Sequence, residues 1–339
     1  MASTGIRRVV LVAVCLSVPA LSRRAAAEAQ PEKDQPSEHT GDQADDDKQH
    51  AALAKAVQNP IADLISVPFQ NNASYNIGTN ERAADTLNIQ PVIPTHLGDH
   101  VLLVSRIILP ISYQPTLTST GGGSSGVGDL NPTFFFSPAK PGKLIWGAGP
   151  AFVLPTATQQ AVGTGKWSVG PAAVALMQPD PWTFGVLASQ VWSFAGPTDR
   201  SDVSLLTVQY FVSYNLAHAW YLTSSPILTF NWKAPSSDEW LVPFGGGVGK
   251  IFKLGKLPLN GAVQAFYNVH SSDATTLARW QARVQLTFLF PAAGAKPKPA
   301  EKEGDDSRSA ERVTPAPGDL RFTGVPGDLS LAVEPRRAP

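Results

Sequence analysis

The chain has 339 residues, with 27 basic against 27 acidic side chains, 43% hydrophobic residues, eight tryptophans and one cysteine. Balanced charge argues against a nucleic-acid partner, which asks for a concentrated basic face. One cysteine leaves no room for an internal disulfide or a cysteine metal site, and no apolar run reaches the roughly 20 residues of a membrane-spanning helix.

At the N-terminus Arg7 and Arg8 precede an apolar run over residues 9–21 and the small residues Ala25, Ala26, Ala27 and Ala29. This is the layout of a secretory signal peptide, read here as residues 1–29 and cleaved near Ala27 or Ala29. Cys15 lies inside it, so the mature chain contains no thiol, and Val14 stands where a lipidation motif wants a small residue. A polar leader follows over residues 30–60. Its first part, with Asp45, Asp46 and Asp47 in a row, has little to bury and is expected to be disordered. Its end, HAALAKAVQ (residues 50–58), carries apolar residues at helical spacing and predicts a short helix over 51–57, able to enter a lumen as a plug before Asn59-Pro60 stops it.

Between residues 61 and 290 the texture changes to stretches that alternate apolar and polar with period two, separated by turn chemistry. Ile65, Val67, Phe69, Ala73, Tyr75 and Ile77 share one face of the first stretch, and Ser66, Gln70, Asn72, Ser74 and Asn76 the other. The last sets Ala278, Trp280, Ala282, Val284, Leu286, Phe288 and Phe290 against Arg279, Gln281, Arg283, Gln285 and Thr287. Such alternation predicts an all-β protein, a transmembrane antiparallel up-and-down barrel of about twelve strands, the even number that returns both ends to the periplasm. The strands are expected at roughly 64–78, 86–95, 101–114, 129–138, 144–155, 166–177, 182–195, 203–216, 220–233, 240–251, 257–269 and 277–290. Connections alternate between short turns, such as Gln178-Pro179-Asp180-Pro181, and longer segments, including 116–128, whose Gly121 to Gly126 run is read as a flexible outer loop. Trp182 and Trp220 stand just after short turns, and Trp167, Trp192, Trp232 and Trp240 beside long ones. Two aromatic girdles against outer-membrane lipid follow from that placement. Residues 291–339, rich in Pro, Gly, Lys and Glu, are expected to form a disordered periplasmic tail.

The stretches NPIADLISVPFQNN (59–72), GDLNPTFFFSPA (128–139), GAGPAFVLPTA (147–157), GKWSVGPA (165–172) and VWSFAG (191–196) carry a resemblance to a known family. They resemble the outer-membrane transporter-like β-barrels filed as putative phenol-degradation pathway proteins and often mislabelled neuromedin U. The resemblance implies a barrel in the outer membrane and small-molecule uptake, without defined functional residues. Leu286, Thr287, Phe288, Leu289 and Phe290 resemble the aromatic-ended segment that barrel-assembly machinery reads, although the long tail behind them departs from the family's pattern.

By strand parity the lumen is expected to be mostly amide and hydroxyl, with Asn88, Gln90 and Gln281 among its lining and Arg106, Arg279 and Arg283 as sparse positive charge. Arg279 and Arg283 fall on one face, about 13 Å apart by strand rise. They read either as an electropositive strip favouring anionic or polarised solutes, or as structural groups bonded to neighbours. No catalytic residues, metal ligands or cofactor are assigned. A lipid hydrolase would need a histidine near the outer rim, where only His270, beside Ser271, Ser272 and Asp273, qualifies. The expected function is a channel or transporter for small, weakly polar organic molecules. The alternatives are a non-transporting structural or adhesion barrel and, more remotely, that hydrolase.

Overall fold

The computed structural model describes residues 52–117, 122–255, 257–270 and 276–290. The signal peptide, most of the leader, the tail and the Ser271 to Asp273 run lie outside the described residues. Sixteen strand segments form one antiparallel sheet, and four pairs of them continue one another across a break, which leaves twelve staves closed into a barrel. These are β1 (Ile65–Ile77), β2 (Arg82–Ile89 and Val92–Leu97), β3 (Val101–Pro115) and β4 (Gly123–Val127 and Asn131–Pro138). β5 (Leu144–Val153), β6 (Trp167–Met177), β7 (Trp182–Ala195) and β8 (Ser204–Asn215) follow. The ring is completed by β9 (Trp220–Ser224 and Ile227–Asn231), β10 (Trp240–Leu241 and Pro243–Leu254), β11 (Leu257–Asn268) and β12 (Ala278–Phe290). Each pairs with its neighbours in sequence, and β12 returns to β1 with Ile65 opposite Phe290 and Ile77 opposite Ala278.

Burial departs from that of a water-soluble barrel. Gln70, Asn72, Asn260, Gln264, Arg283 and Thr287 are buried, whereas Trp146, Phe194, Phe244, Val263 and Val284 are exposed. All eight tryptophans face outward, between 41% and 57% exposed, as expected of side chains meeting lipid and headgroup. Trp182 sits edge-on to Tyr214 at 4.7 Å at the end with the short turns, and Trp280 packs on Tyr267 at 4.8 Å at the opposite end. That pairing gives each rim its aromatic belt.

Two connections differ from the sequence expectation. β2 starts at Arg82, because Gly78 (φ 64°) and Glu81 (φ 48°) close a tight turn with the Glu81 amide donating to the Gly78 carbonyl at 3.1 Å. The glycine-rich run is not a loose loop over its second half, since Gly123–Val127 pairs in register with Ile111–Pro115 of β3. Glycine is needed at Gly123, where a Cβ would run into the Tyr113 ring and the Gln114 carbonyl.

Ahead of β1, residues 52–58 form the helix, which ends one residue beyond its expected limit. Asn59 ends it, its side-chain oxygen accepting from the Ile61 amide at 3.0 Å. Ala54 of this helix is buried with Tyr221 of β9 and Ile251 of β10, both inward-facing. Ile61, 2% exposed, reaches instead into an apolar cluster with Leu102, Val104, Phe135 and Val174 of β3, β4 and β6. The N-terminal segment therefore crosses the lumen near its short-turn end before entering the wall.

Candidate functional site

Parity along the strands decides what the lumen presents, and it presents two unlike walls. The inward residues of β1, β11 and β12 supply Gln70, Asn72, Asn260, Gln264, Arg283 and Thr287. Those of β3 to β8 supply Leu102, Val104, Phe135, Ala172, Val174, Leu176, Leu187, Val191 and Phe211, all buried in one cluster, with buried Ser137, Ser168, Thr183 and Ser213 on the same faces. The expectation of a lumen that is mostly amide and hydroxyl is thus corrected over β3 to β8, where the apolar cluster outweighs hydroxyls such as Ser213 and the amide of Gln209. β6 shows why the apolar wall was hard to see, since inward Ala172, Val174 and Leu176 alternate with outward Ala173, Ala175 and Met177 and the strand lacks a polar face.

The plug is tied to the rim by polar contacts. Gln178 donates to the Lys55 carbonyl at 2.8 Å, Gln58 donates to Asn215 Oδ1 at 2.7 Å, and Lys55 pairs with Asp180 at 2.7 Å. His96 and Asp63 meet at 2.8 Å beside the entry to β1. Surface ion pairs of this kind contribute little, roughly 0–1 kcal/mol, so the buried Ala54 and Ile61 hold the segment more firmly than Lys55 does.

Behind the plug lies a cavity of about 170 Å³. Val57, Pro60 and Leu64 close it on the plug side, Leu187, Phe211 and Leu289 give it apolar surface, and Gln70, Gln90, Gln209, Gln264, Gln285 and Arg106 give it polar surface. Gln90 and Arg106, singled out from the sequence, meet here: Arg106 Nη2 donates to Gln90 Oε1 at 2.8 Å. Asn88 lies two residues from Gln90, half-buried and opposite Pro110 of β3. Gln281 is half-buried on β12, between Ser74 of β1 and Phe266 of β11. Sequence reasoning placed Gln70 on the polar face of β1 but passed over Tyr221, Asn260 and Gln264, although their parity along β9 and β11 marked them.

Arg283 takes a different place. It is 1% exposed, with Nε donating to Asn72 Oδ1 at 2.8 Å, Nη1 to the Ser225 carbonyl at 2.6 Å, and the guanidinium 4.9 Å from the Phe266 ring. Ser225 and Pro226 interrupt β9, so this arginine serves a carbonyl that the strand ladder leaves over. Arg279, further along β12, has a partner of its own. His270 lies at the long-loop end, with its backbone amide bonded to Asn268 Oδ1 at 3.3 Å.

Tyr221 anchors the plug's other neighbour. Its hydroxyl donates to Asn260 Oδ1 at 2.6 Å, reaching across β10 over Gly249, where any Cβ would overlap the phenol ring. Gly249→Val is expected to displace Tyr221 and lower stability by roughly 1–3 kcal/mol, as overpacking does. Urea unfolding in detergent followed by tryptophan fluorescence would show it, and an unchanged midpoint would contradict the packing described.

A closed antiparallel ring with apolar residues outside, polar groups and a plug inside and aromatic belts at both rims defines a transmembrane β-barrel of the outer-membrane type. Among solved structures the chain is similar to the COG4313 outer membrane channel from Pseudomonas putida F1, at 15% identity and a TM-score of 0.52, covering 67% of this chain and 95% of that one. It is also similar, at TM-scores of 0.38 and 0.36, to the CymD monoaromatic hydrocarbon channel (9% identity, 71% and 90% covered) and to outer membrane phospholipase A from Escherichia coli (12% identity, 66% and 95% covered). No family model and no curated protein matches the sequence.

Proposed function

We propose that this chain is an outer-membrane channel that admits small organic molecules through a narrow lumen partly occupied by its own N-terminal segment. One observation carries the reading: the cavity behind the plug is lined both by apolar side chains, Leu187, Phe211 and Leu289, and by amides, among them Gln70, Gln209 and Gln264. A solute with an apolar body and a polar edge is matched by both kinds of lining at once, whereas a lumen built only to be filled would have no use for so many glutamines. The size is in keeping, since twelve strands fall between small barrels packed with side chains and wide porins. The fold shared with the P. putida F1 channel and the resemblance to the phenol-degradation pathway barrels support the same reading.

Reconstitution in planar bilayers is the test. The full chain is expected to give small, resolvable conductance steps, and vesicles carrying it are expected to swell in small osmolytes but not in oligosaccharides. Absence of conductance from both the full chain and a variant lacking residues 52–60 would overturn the proposal in favour of a structural barrel.

A further inference from the structure

Arg106 and Arg283 both point into the barrel, and among the described residues neither has a carboxylate within ion-pairing distance. A buried cation without a counter-charge is costly to hold. For Arg283 the structure supplies a reason, because its guanidinium stitches Asn72 and the Ser225 carbonyl into the wall. For Arg106 it supplies only part of one. Nη2 is bonded to Gln90 Oε1, while Nε and Nη1 have no partner among the described residues and the side chain borders the cavity. Whichever Nη2 hydrogen Gln90 takes, the other pairs with Nε–H or with Nη1–H to leave one two-donor face of the planar fork open. Such a face is the donor set that takes a carboxylate bidentately.

Size and lining limit what that carboxylate belongs to. An apolar protein cavity of about 150 Å³ takes up a benzene ring, and the cavity here is about 170 Å³, with Leu187, Phe211 and Arg106 together in its lining. A ring laid on Leu187 and Phe211 would leave a substituent to meet Arg106, with Gln90 holding the guanidinium in place. We propose that Arg106 and Gln90 form a binding site for a compact aromatic monocarboxylate, and that molecules of this class are the preferred solutes. The assignment rests on the channel reading and sharpens it from small organic molecules to amphipathic anions.

Calorimetry on the full chain in detergent, with benzoate, benzyl alcohol and acetate as probes, tests it. Benzoate is expected to bind saturably and roughly tenfold or more tightly than either the neutral ring or the ring-free acid, since a charge-assisted pair and ring burial each contribute on that scale. Arg106→Gln should bring benzoate down to the level of benzyl alcohol. Gln90→Leu, which leaves the guanidinium unsupported, should weaken benzoate while sparing benzyl alcohol, and it serves if the arginine variant fails to fold. Equal affinity for benzoate and benzyl alcohol in the unmodified protein overturns the carboxylate assignment, and with conductance present the channel reading survives that result. Benzoate binding through Arg106 in a protein that never conducts upholds the site and removes the channel.

Discussion

Deleting residues 52–60 is expected to raise single-channel conductance several-fold without unfolding the barrel. The helix and the turn after it close the cavity at the short-turn end, through Val57, Gln58 and Pro60, and no strand of the ring is built from them. Their hold on the wall is the burial of Ala54 against Tyr221 and Ile251, three polar contacts at the rim, and Ile61 just beyond the deletion. Burial of a few small apolar side chains contributes a few kcal/mol at most, small beside a closed ring of twelve hydrogen-bonded staves. A folded barrel still shifts on gels when heated, so folding and conductance can be read on the same preparation. If the shortened protein folds and conducts like the full chain, the segment does not obstruct the path. A graded version is available in Ala54→Asp, which sets a charge against Tyr221 and Ile251 and should loosen the helix without shortening the chain.

What could be read from the sequence and what could not divides along a physical line. Strands such as β1 and β12 face lipid on one side and polar lumen on the other, so their period-two alternation is strong and their limits were placed within a residue or two. Tryptophans at strand ends report depth in a bilayer directly, and all eight face outward. β6 is apolar on both faces, because its inner face packs in the apolar cluster, and periodicity cannot distinguish lipid from packed interior. The Gly123–Val127 segment was missed because glycine serves both loops and close backbone approach, and only the Tyr113 ring beside it decides between them. Of the arginines, parity placed Arg106 and Arg283 inside but could not separate their roles. That separation depends on Ser225, 58 positions from Arg283, where β9 is broken.

The same contact sets the second large effect, the response to Arg283→Ala. The substitution removes the short, charge-assisted donor to Asn72 Oδ1 and to the Ser225 carbonyl, leaving each only a longer bond at 3.4 Å, from Gln70 Nε2 and Gln209 Nε2 respectively, at a site where Arg283 itself is 1% exposed. Loss of hydrogen bonds from a charged donor costs roughly 1.5–3 kcal/mol, and the space vacated beside Phe266 adds a cavity term. Against this stands the relief of a desolvated charge, which offsets part of the loss. The net expectation is a destabilisation of roughly 2–4 kcal/mol, read from urea unfolding in lipid. Arg283→Met separates the contributions, because it keeps most of the volume but none of the hydrogen bonds and should recover only the cavity part. Hydrogen exchange gives a local check: amides in the first segment of β9, Trp220–Ser224, and in Ile227–Asn231 beyond the break should open faster in both variants. An Arg283→Ala variant within about 0.5 kcal/mol of the unmodified chain, the range of an ordinary surface change, would mean that the break in β9 needs no support from β12. Arg283 would then belong, with Arg106, to the lumen's positive charge.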